Sequence, residues 1–427
     1  MDLRSFLITY LLLLGFGNAR SVLLNDRVVR PGGFREFYSG HARRDLPRGT
    51  VIPLSRRAGT FGILPRGSNT TNSSAASSAP LTAIALNLLA NVSIGGQVFQ
   101  LLVDTGSSDT WVAATNFKCV DIQEKPKQQS TCKIPTLYTQ PSTAEAVPGV
   151  MLSQGYASGE FVFGPMVLET VSIGGITVQK SQVGAVTTAF WNGDGLNGGL
   201  LGLSGSVTTT AVDAKKNQAV YDPVFLKMIQ QNVTKPFFSM SIDTTQSGPA
   251  GFLVFGGLPP VAHSDNFTTV PIIKKTSSFQ GPLPSPQVVD YIVPVSSFTV
   301  GGKNIKMNKL EMVVDSGTFA NIVPDGLANQ INDQWSPPAV FDNKQGLFKI
   351  DCAATAPDVG ITMNGTTFVM KSAAAVQKDG TNCFSAWAGG GTVGNVNSTF
   401  VLGDVFMKSV VSVFDLGTTE MHFAARV

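Results

Sequence analysis

Two short stretches carry the residues best suited to chemistry. Leu101-Leu102-Val103-Asp104-Thr105-Gly106-Ser107-Ser108 is echoed in the second half by Met312-Val313-Val314-Asp315-Ser316-Gly317-Thr318. Each apolar run suits a buried strand, and the glycine after it permits a sharp turn that brings backbone N–H groups to the carboxylate. A carboxyl at the end of a buried strand is costly unless such hydrogen bonds are supplied. Asp104 and Asp315 are therefore the candidate catalytic groups, with Gly106 and Gly317 as backbone donors. Ser107 and Thr318 can bond the outer carboxylate oxygens, and Thr105 and Ser316 can tie the two loops together. Average composition gives such a motif about 0.005 chance occurrences in a chain of this length. Two copies, one per half, are a strong signal.

Two carboxyls in one site cannot both ionise cheaply, so one proton stays between them over a range of acidic pH. The ionised member can take a proton from water while the protonated member gives its own to a carbonyl oxygen. Water is then the nucleophile, and the chemistry calls for no cofactor and no covalent intermediate.

The two halves must be built alike to bring those carboxyls together. Strand-like Leu81–Ile94 and Val98–Val103, joined by Gly95-Gly96-Gln97, lead into the first motif. Val295–Val300, Gly301-Gly302-Lys303 and Lys309–Val314 lead into the second. Leu200-Leu201-Gly202-Leu203 follows the first motif as Val401-Leu402-Gly403-Asp404 follows the second, and each glycine is expected to admit close approach to the opposing catalytic loop. Gly155-Tyr156-Ala157-Ser158-Gly159 reads as a hairpin between Val150–Ser153 and Phe161–Phe163, with Tyr156 near its tip. Asp222 as N-cap and Pro223 at the first helical position predict a helix over Val224–Gln231. A second short helix is expected near Asp325–Gln334, strands at Phe237–Ile242 and Gly251–Gly257, and an exposed loop over 275–287. Thr50–Leu54 reads as a strand at a sheet edge, where its proline is tolerated.

A chain of 427 residues, 43% hydrophobic and 14% charged, is long enough for two domains. Its short apolar segments, broken by 44 Gly and 24 Pro, point to a mainly all-β class with a few short helices. Arg4, the apolar run Phe6–Phe16 and Gly17-Asn18-Ala19 read as a signal peptide over residues 1–19. That run is too short to span a bilayer, so no membrane partner is expected. Residues 1–66 hold 11 Arg, no Lys and four acids, whereas the rest of the chain carries 20 basic and 24 acidic residues. A basic arm behind a signal peptide and ahead of an acidic body fits a pro-segment over 20–66, with an end between 57 and 80, better than a nucleic-acid or membrane surface. Arg43-Arg44 and Arg56-Arg57 are dibasic processing sites. Residues 67–80 are a Ser/Thr/Asn-rich linker, and the lobes are placed at 81–242 and 243–427.

Four cysteines, Cys119, Cys132, Cys352 and Cys383, suit an oxidising compartment. Three pairings are formally possible, and sequence-local pairs are the simplest. Three histidines and no Cys-x-x-Cys argue against a metal site. Sequons at Asn69, Asn72, Asn91, Asn232, Asn266, Asn364 and Asn397 agree with secretion.

Taken with Trp111, Tyr156, the segments at Gly202 and Gly403, and the chain end Phe400–Phe406 and Val413-Phe414-Asp415, the two motifs resemble a pepsin-like aspartic endopeptidase of fungal type, over Leu81 to Val427. The resemblance implies a bilobal fold with pseudo-twofold-related lobes, and a flap whose Tyr156 is hydrogen-bonded to Trp111. It also implies Cys119–Cys132 and Cys352–Cys383 disulfides, and a second lobe lined by Glu311 and the Asn321–Val323 region. Polypeptide substrates, an inhibitory pro-segment and a monomer follow from it. The flap departs from the usual Tyr-Gly-Thr-Gly by reading Tyr-Ala-Ser-Gly-Glu, Gly198-Gly199 replaces Asp-Gly, and the pro-segment has arginine in place of lysine. The alternatives are a catalytically inactive relative acting as a binding or inhibitor protein, and a cell-wall glycoprotein. Two intact motifs weigh against both.

Overall fold

The computed structural model describes residues 49–56 and 88–427, apart from 245–247, 279, 344–345, 371, 380 and 393–398. The signal peptide, most of the basic arm, the linker and the sequons at Asn69, Asn72 and Asn397 lie outside the described residues.

Each half builds its catalytic loop from the same five-strand scheme. In the first half, Leu89–Ile94 pairs antiparallel with Gln97–Asp104 around the Gly95-Gly96 turn, where both glycines take positive φ. Gly199–Gly202 runs parallel to Gln97–Asp104, placing Asp104 opposite Gly202. Trp111–Cys119 pairs antiparallel with that short strand and parallel with Ile176–Phe190. In the second half Ile292–Val300 pairs antiparallel with Lys303–Val314, again around two positive-φ glycines. Val401–Leu402 runs parallel to the end of Lys303–Val314, and Asn321–Val323 pairs antiparallel with Val401–Leu402 and parallel with Trp387–Gly389. Parallel strands demand long crossovers. This is why Gly202 and Gly403 sit so far along the chain from the loops they support.

Between the halves runs a shared sheet segment. Phe237–Ile242 pairs antiparallel with both Gly248–Phe255 and Val410–Asp415, so the chain's last strands close onto its middle. Aromatic rings pack this junction: Phe238 stacks on Phe414 at 4.5 Å, and Tyr291 meets Phe414 edge-on at 4.7 Å. Thr50–Arg56 also lies here. It pairs along its length with Gly248–Phe255 and touches Leu89–Ile94 at Ser55, so it sits between two strands and not at an edge. Ile52 and Leu54 are buried in the core. Meeting its second neighbour only at Ser55 leaves room for Pro53.

Other expectations needed revision. The helix Val224–Gln230 has Pro223 as its N-cap residue, with no side-chain cap; the Asp222 carboxylate instead accepts Ser206 Oγ at 2.9 Å. Residues 275–287 are a hairpin, Lys275–Ser278 against Gly281–Gln287, and not an open loop. Pro282, Pro284 and Pro286 alternate, so their missing N–H groups share one side of an outer strand. The helix Asp325–Asn332 and the strand Phe237–Ile242 form where expected. Cys119 is bonded to Cys132 and Cys352 to Cys383.

Candidate active site

Asp104 is the last residue of its strand, and Asp315 directly follows Lys303–Val314. The turn after each aspartate folds back on it in the same way. Gly106 N–H donates to Asp104 Oδ1 at 2.8 Å, and Gly317 N–H donates to Asp315 Oδ1 at 2.7 Å. Ser107 Oγ donates to Asp104 Oδ2, and Thr318 Oγ1 to Asp315 Oδ2 at 2.6 Å. The loops are tied by a reciprocal set of bonds. Thr105 Oγ1 accepts Ser316 N–H at 2.9 Å and donates to the Val314 carbonyl, while Ser316 Oγ accepts Thr105 N–H at 3.1 Å and donates to the Val103 carbonyl. Both hydroxyls are buried, so no water competes for them.

This lock sets the carboxyls face to face. A Cβ on Gly106 would lie 2.6 Å from Asp315 Oδ1, and one on Gly317 would lie 2.4 Å from Asp104 Oδ1. Only glycine lets each turn lie against the opposite carboxyl. Burial pushes the Asp104 carboxyl well above its ordinary range, the neighbouring Asp315 carboxyl adds to the rise, and the bonds from Ser107 and Gly106 pull it down. Asp104 is almost wholly buried, while Asp315 is partly open and Gly317 exposed.

Gly202 and Gly403 act differently from the expectation of contact with the opposing loop. A Cβ on Gly202 would lie 2.3 Å from the Ser108 carbonyl carbon, and one on Gly403 would lie 2.3 Å from the Ala320 carbonyl oxygen. Each glycine therefore braces the turn of its own half. Asn321, grouped by resemblance with the lining of the second lobe, is fully buried and accepts Gly403 N–H at 3.0 Å. Glu311 is ion-paired to Lys275.

The hairpin formed by Glu145–Gly155 and Phe161–Ile173 carries Tyr156 at its turn. Trp111 Nε1 donates to Tyr156 Oη at 2.8 Å. Trp191, which the motifs do not mark, packs edge-on against both rings, at 5.0 Å from Trp111 and 5.6 Å from Tyr156. Glu160, just after the departures Ala157 and Ser158, accepts Asn192 N–H at 2.6 Å and Ser158 Oγ at 2.8 Å, fastening the turn to the Trp191 segment. Beneath them, buried Asp109 accepts Tyr221 Oη at 2.6 Å and both the N–H and Oγ1 of Thr210 at 2.9 Å. Burial raises the Asp109 carboxyl against those bonds. Such a group shows up in a sequence only as one more aspartate, because its partners lie about a hundred residues away.

Residues 88–426 match the family model described as eukaryotic aspartyl protease. The chain belongs to the eukaryotic aspartyl protease family. A probable aspartic-type endopeptidase of Aspergillus fumigatus is 35% identical over 78% of this chain and 77% of its own length. Rhizopuspepsin-1 of Rhizopus niveus is 27% identical over 77% of this chain and 76% of its own. In fold, the crystal structure of the aspartic proteinase from Irpex lacteus covers 80% of the chain and 94% of its own, with a TM-score of 0.63 at 21% identity. This aspartic endopeptidase thus keeps the family's mainly β architecture, with both aspartates inside the matched range.

Proposed function

We propose that this aspartic endopeptidase hydrolyses internal peptide bonds of proteins at acidic pH, through a water held between Asp104 and Asp315. The reciprocal Thr105–Ser316 lock, which aims both carboxyls at one point, carries this reading. The pair holds one proton. The ionised carboxylate takes a proton from the water, whose oxygen bonds to the peptide carbonyl carbon. The other carboxyl protonates the carbonyl oxygen, giving a neutral tetrahedral diol. Breaking the C–N bond then sends a proton to the amine and restores the shared proton. Tyr156, fixed by Trp111, closes over the bound peptide.

The enzyme is proposed to be made as a secreted, monomeric zymogen of two lobes, 81–242 and 243–427. The strand Thr50–Arg56 supports the pro-segment reading: it is part of the core sheet and ends at the first arginine of Arg56-Arg57. It can anchor a basic arm beside an acidic body, and acid would release the arm by protonating the carboxylates it covers. Among the described residues no helix is long and apolar enough to cross a membrane.

Cleavage of an unfolded protein in acid, blocked by a statine-type transition-state analogue, tests the activity. Absence of cleavage by the processed enzyme contradicts it. A purified precursor that stays intact from about pH 7 to about pH 3 sinks the acid-release step alone. Recovery of the enzyme in cell interior fractions and not in the medium sinks the secretion step.

A further inference from the structure

A third carboxyl belongs to this site, and neither motif contains it. Asp290 lies just before the strand Ile292–Val300, between buried Val289 and buried Tyr291, and is itself partly exposed. Both neighbours are fastened to the first half of the molecule. The Val289 carbonyl accepts Ser204 Oγ at 3.2 Å and Thr208 Oγ1 at 3.1 Å, and Tyr291 Oη donates to the Leu203 carbonyl at 2.6 Å. Leu203 N–H and Ser204 N–H in turn donate to the Asp104 and Ser107 carbonyls at 2.8 and 2.9 Å. The Asp290 backbone is thus held where the first catalytic turn meets the second half.

The side chain is much less well served. Among the described residues its one side-chain hydrogen-bond partner is Ser204 Oγ at 3.3 Å, which is long for a carboxylate, and that hydroxyl shares its single hydrogen with the Val289 carbonyl. Among the described residues the charge acting on it is Asp315, of the same sign, and no cation contributes. Its other titratable neighbour is the Tyr291 phenol, which is buried and neutral. Among the described residues this partly open carboxyl, close enough to Asp315 to feel its charge, has one weak partner and no cation.

We propose that Asp290 selects substrates, pairing with a cationic side chain, lysine or arginine, of a peptide residue bound close to the scissile bond on the Asp315 side. The proposal rests on Asp104 and Asp315 being the catalytic pair. Burial, followed by the Asp315 charge, raises the Asp290 carboxyl to about 7. In acid the empty group is therefore mostly protonated, and a bound ammonium favours its ionised form. Selectivity for the cationic peptide should consequently grow as pH rises toward 7.

The test uses the processed enzyme and matched peptides with lysine or norleucine placed singly at each position around the cleaved bond. The readout is the ratio of kcat/KM for the two, from about pH 3.5 to about pH 6. Titration of the catalytic pair cancels in that ratio. At one position the wild-type ratio should favour lysine and rise about tenfold across the range, and Asp290→Asn should leave it low and flat. A wild-type ratio that is flat at every position overturns the proposal without any variant. So does a folded Asp290→Asn enzyme, shown intact by its thermal midpoint, that keeps the rising ratio or cleaves neither peptide. Ser204→Ala removes the one bond favouring the charged form, so the rise should move to higher pH. An unchanged profile there also counts against the proposal. Failure of the catalytic reading itself looks different: Asp104→Asn and Asp315→Asn would then retain cleavage of both peptides.

Discussion

The two halves present the same turn around each aspartate and then diverge in what surrounds it. Asp104 is almost wholly buried, with Trp111, Tyr156, Trp191 and the Glu160-fastened flap on its side. Asp315 is partly open, and the group beside it is another carboxyl, Asp290. The symmetric part brings two carboxyls together, the arrangement on which the proposed shared proton rests. The asymmetric parts give one side a hairpin held by Trp111 and Glu160 and the other a third carboxyl, and on the reading proposed above substrate orientation would arise from what the duplication did not preserve.

Short of removing a carboxyl, the largest effect should come from breaking the symmetric part. Gly317→Ala or Gly106→Ala drives a methyl into the opposite carboxyl. A displacement of about 1 Å at reacting groups costs on the order of 100-fold, so both variants should lose at least that much in kcat/KM while remaining folded. Tolerance of alanine at either position would show that the two turns are not equivalent.

Next in size is the flap side. Tyr156→Phe removes the acceptor for the buried Trp111 indole N–H, with an expected cost of about 1–3 kcal/mol in stability or flap ordering. A loss in kcat/KM with a near-normal thermal midpoint would place that cost on the flap. A fall in the midpoint alone would make the contact purely structural.

Stability against pH sharpens the contrast further. The carboxyls of Asp104, Asp109 and Asp290 are all raised above the ordinary value of 3.8, mainly by burial. A raised folded-state value means the fold binds protons that the unfolded chain releases. Their stabilising effect is therefore complete below 3.8 and is lost as pH climbs through the folded values, up to about 7 for Asp290. The thermal midpoint should fall as pH rises across that window, and Asp109→Asn should flatten the fall. A midpoint that climbs with pH there contradicts the assignment.

The smallest expected difference separates the disulfides. Cys352–Cys383 closes a separation of 31 residues and Cys119–Cys132 one of 13. In the chain-entropy picture the longer loop is worth about 0.8 kcal/mol more. Paired Cys→Ala replacements compared by denaturant unfolding would measure it, and an equal or reversed order would show that native contacts outweigh loop length.

What the sequence disclosed was the duplicated part. Apolar runs, paired glycines and hydroxyls at fixed offsets are local signals, and Asp104, Asp315, Thr105 and Ser316 were legible from them. Asp290, Asp109 and Trp191 were not, since their meaning depends on partners distant in the chain that only the crossovers bring close. The hairpin over 275–287 was hidden by prolines that disfavour strands in general but fit one outer strand when they alternate. Sequons divide in the same way. Asn232, Asn266 and Asn364 are exposed, whereas Asn91 sits half-buried within a strand opposite Gln100.

The most direct test of one shared site compares Asp104→Asn, Asp315→Asn and the double variant, by kcat/KM on one peptide in acid with folding checked by thermal unfolding. If the two carboxyls act as a unit, each single variant loses at least about 1000-fold and the double variant is no worse. Losses that multiply in the double variant, or a single variant that retains most of its activity, would contradict a shared dyad.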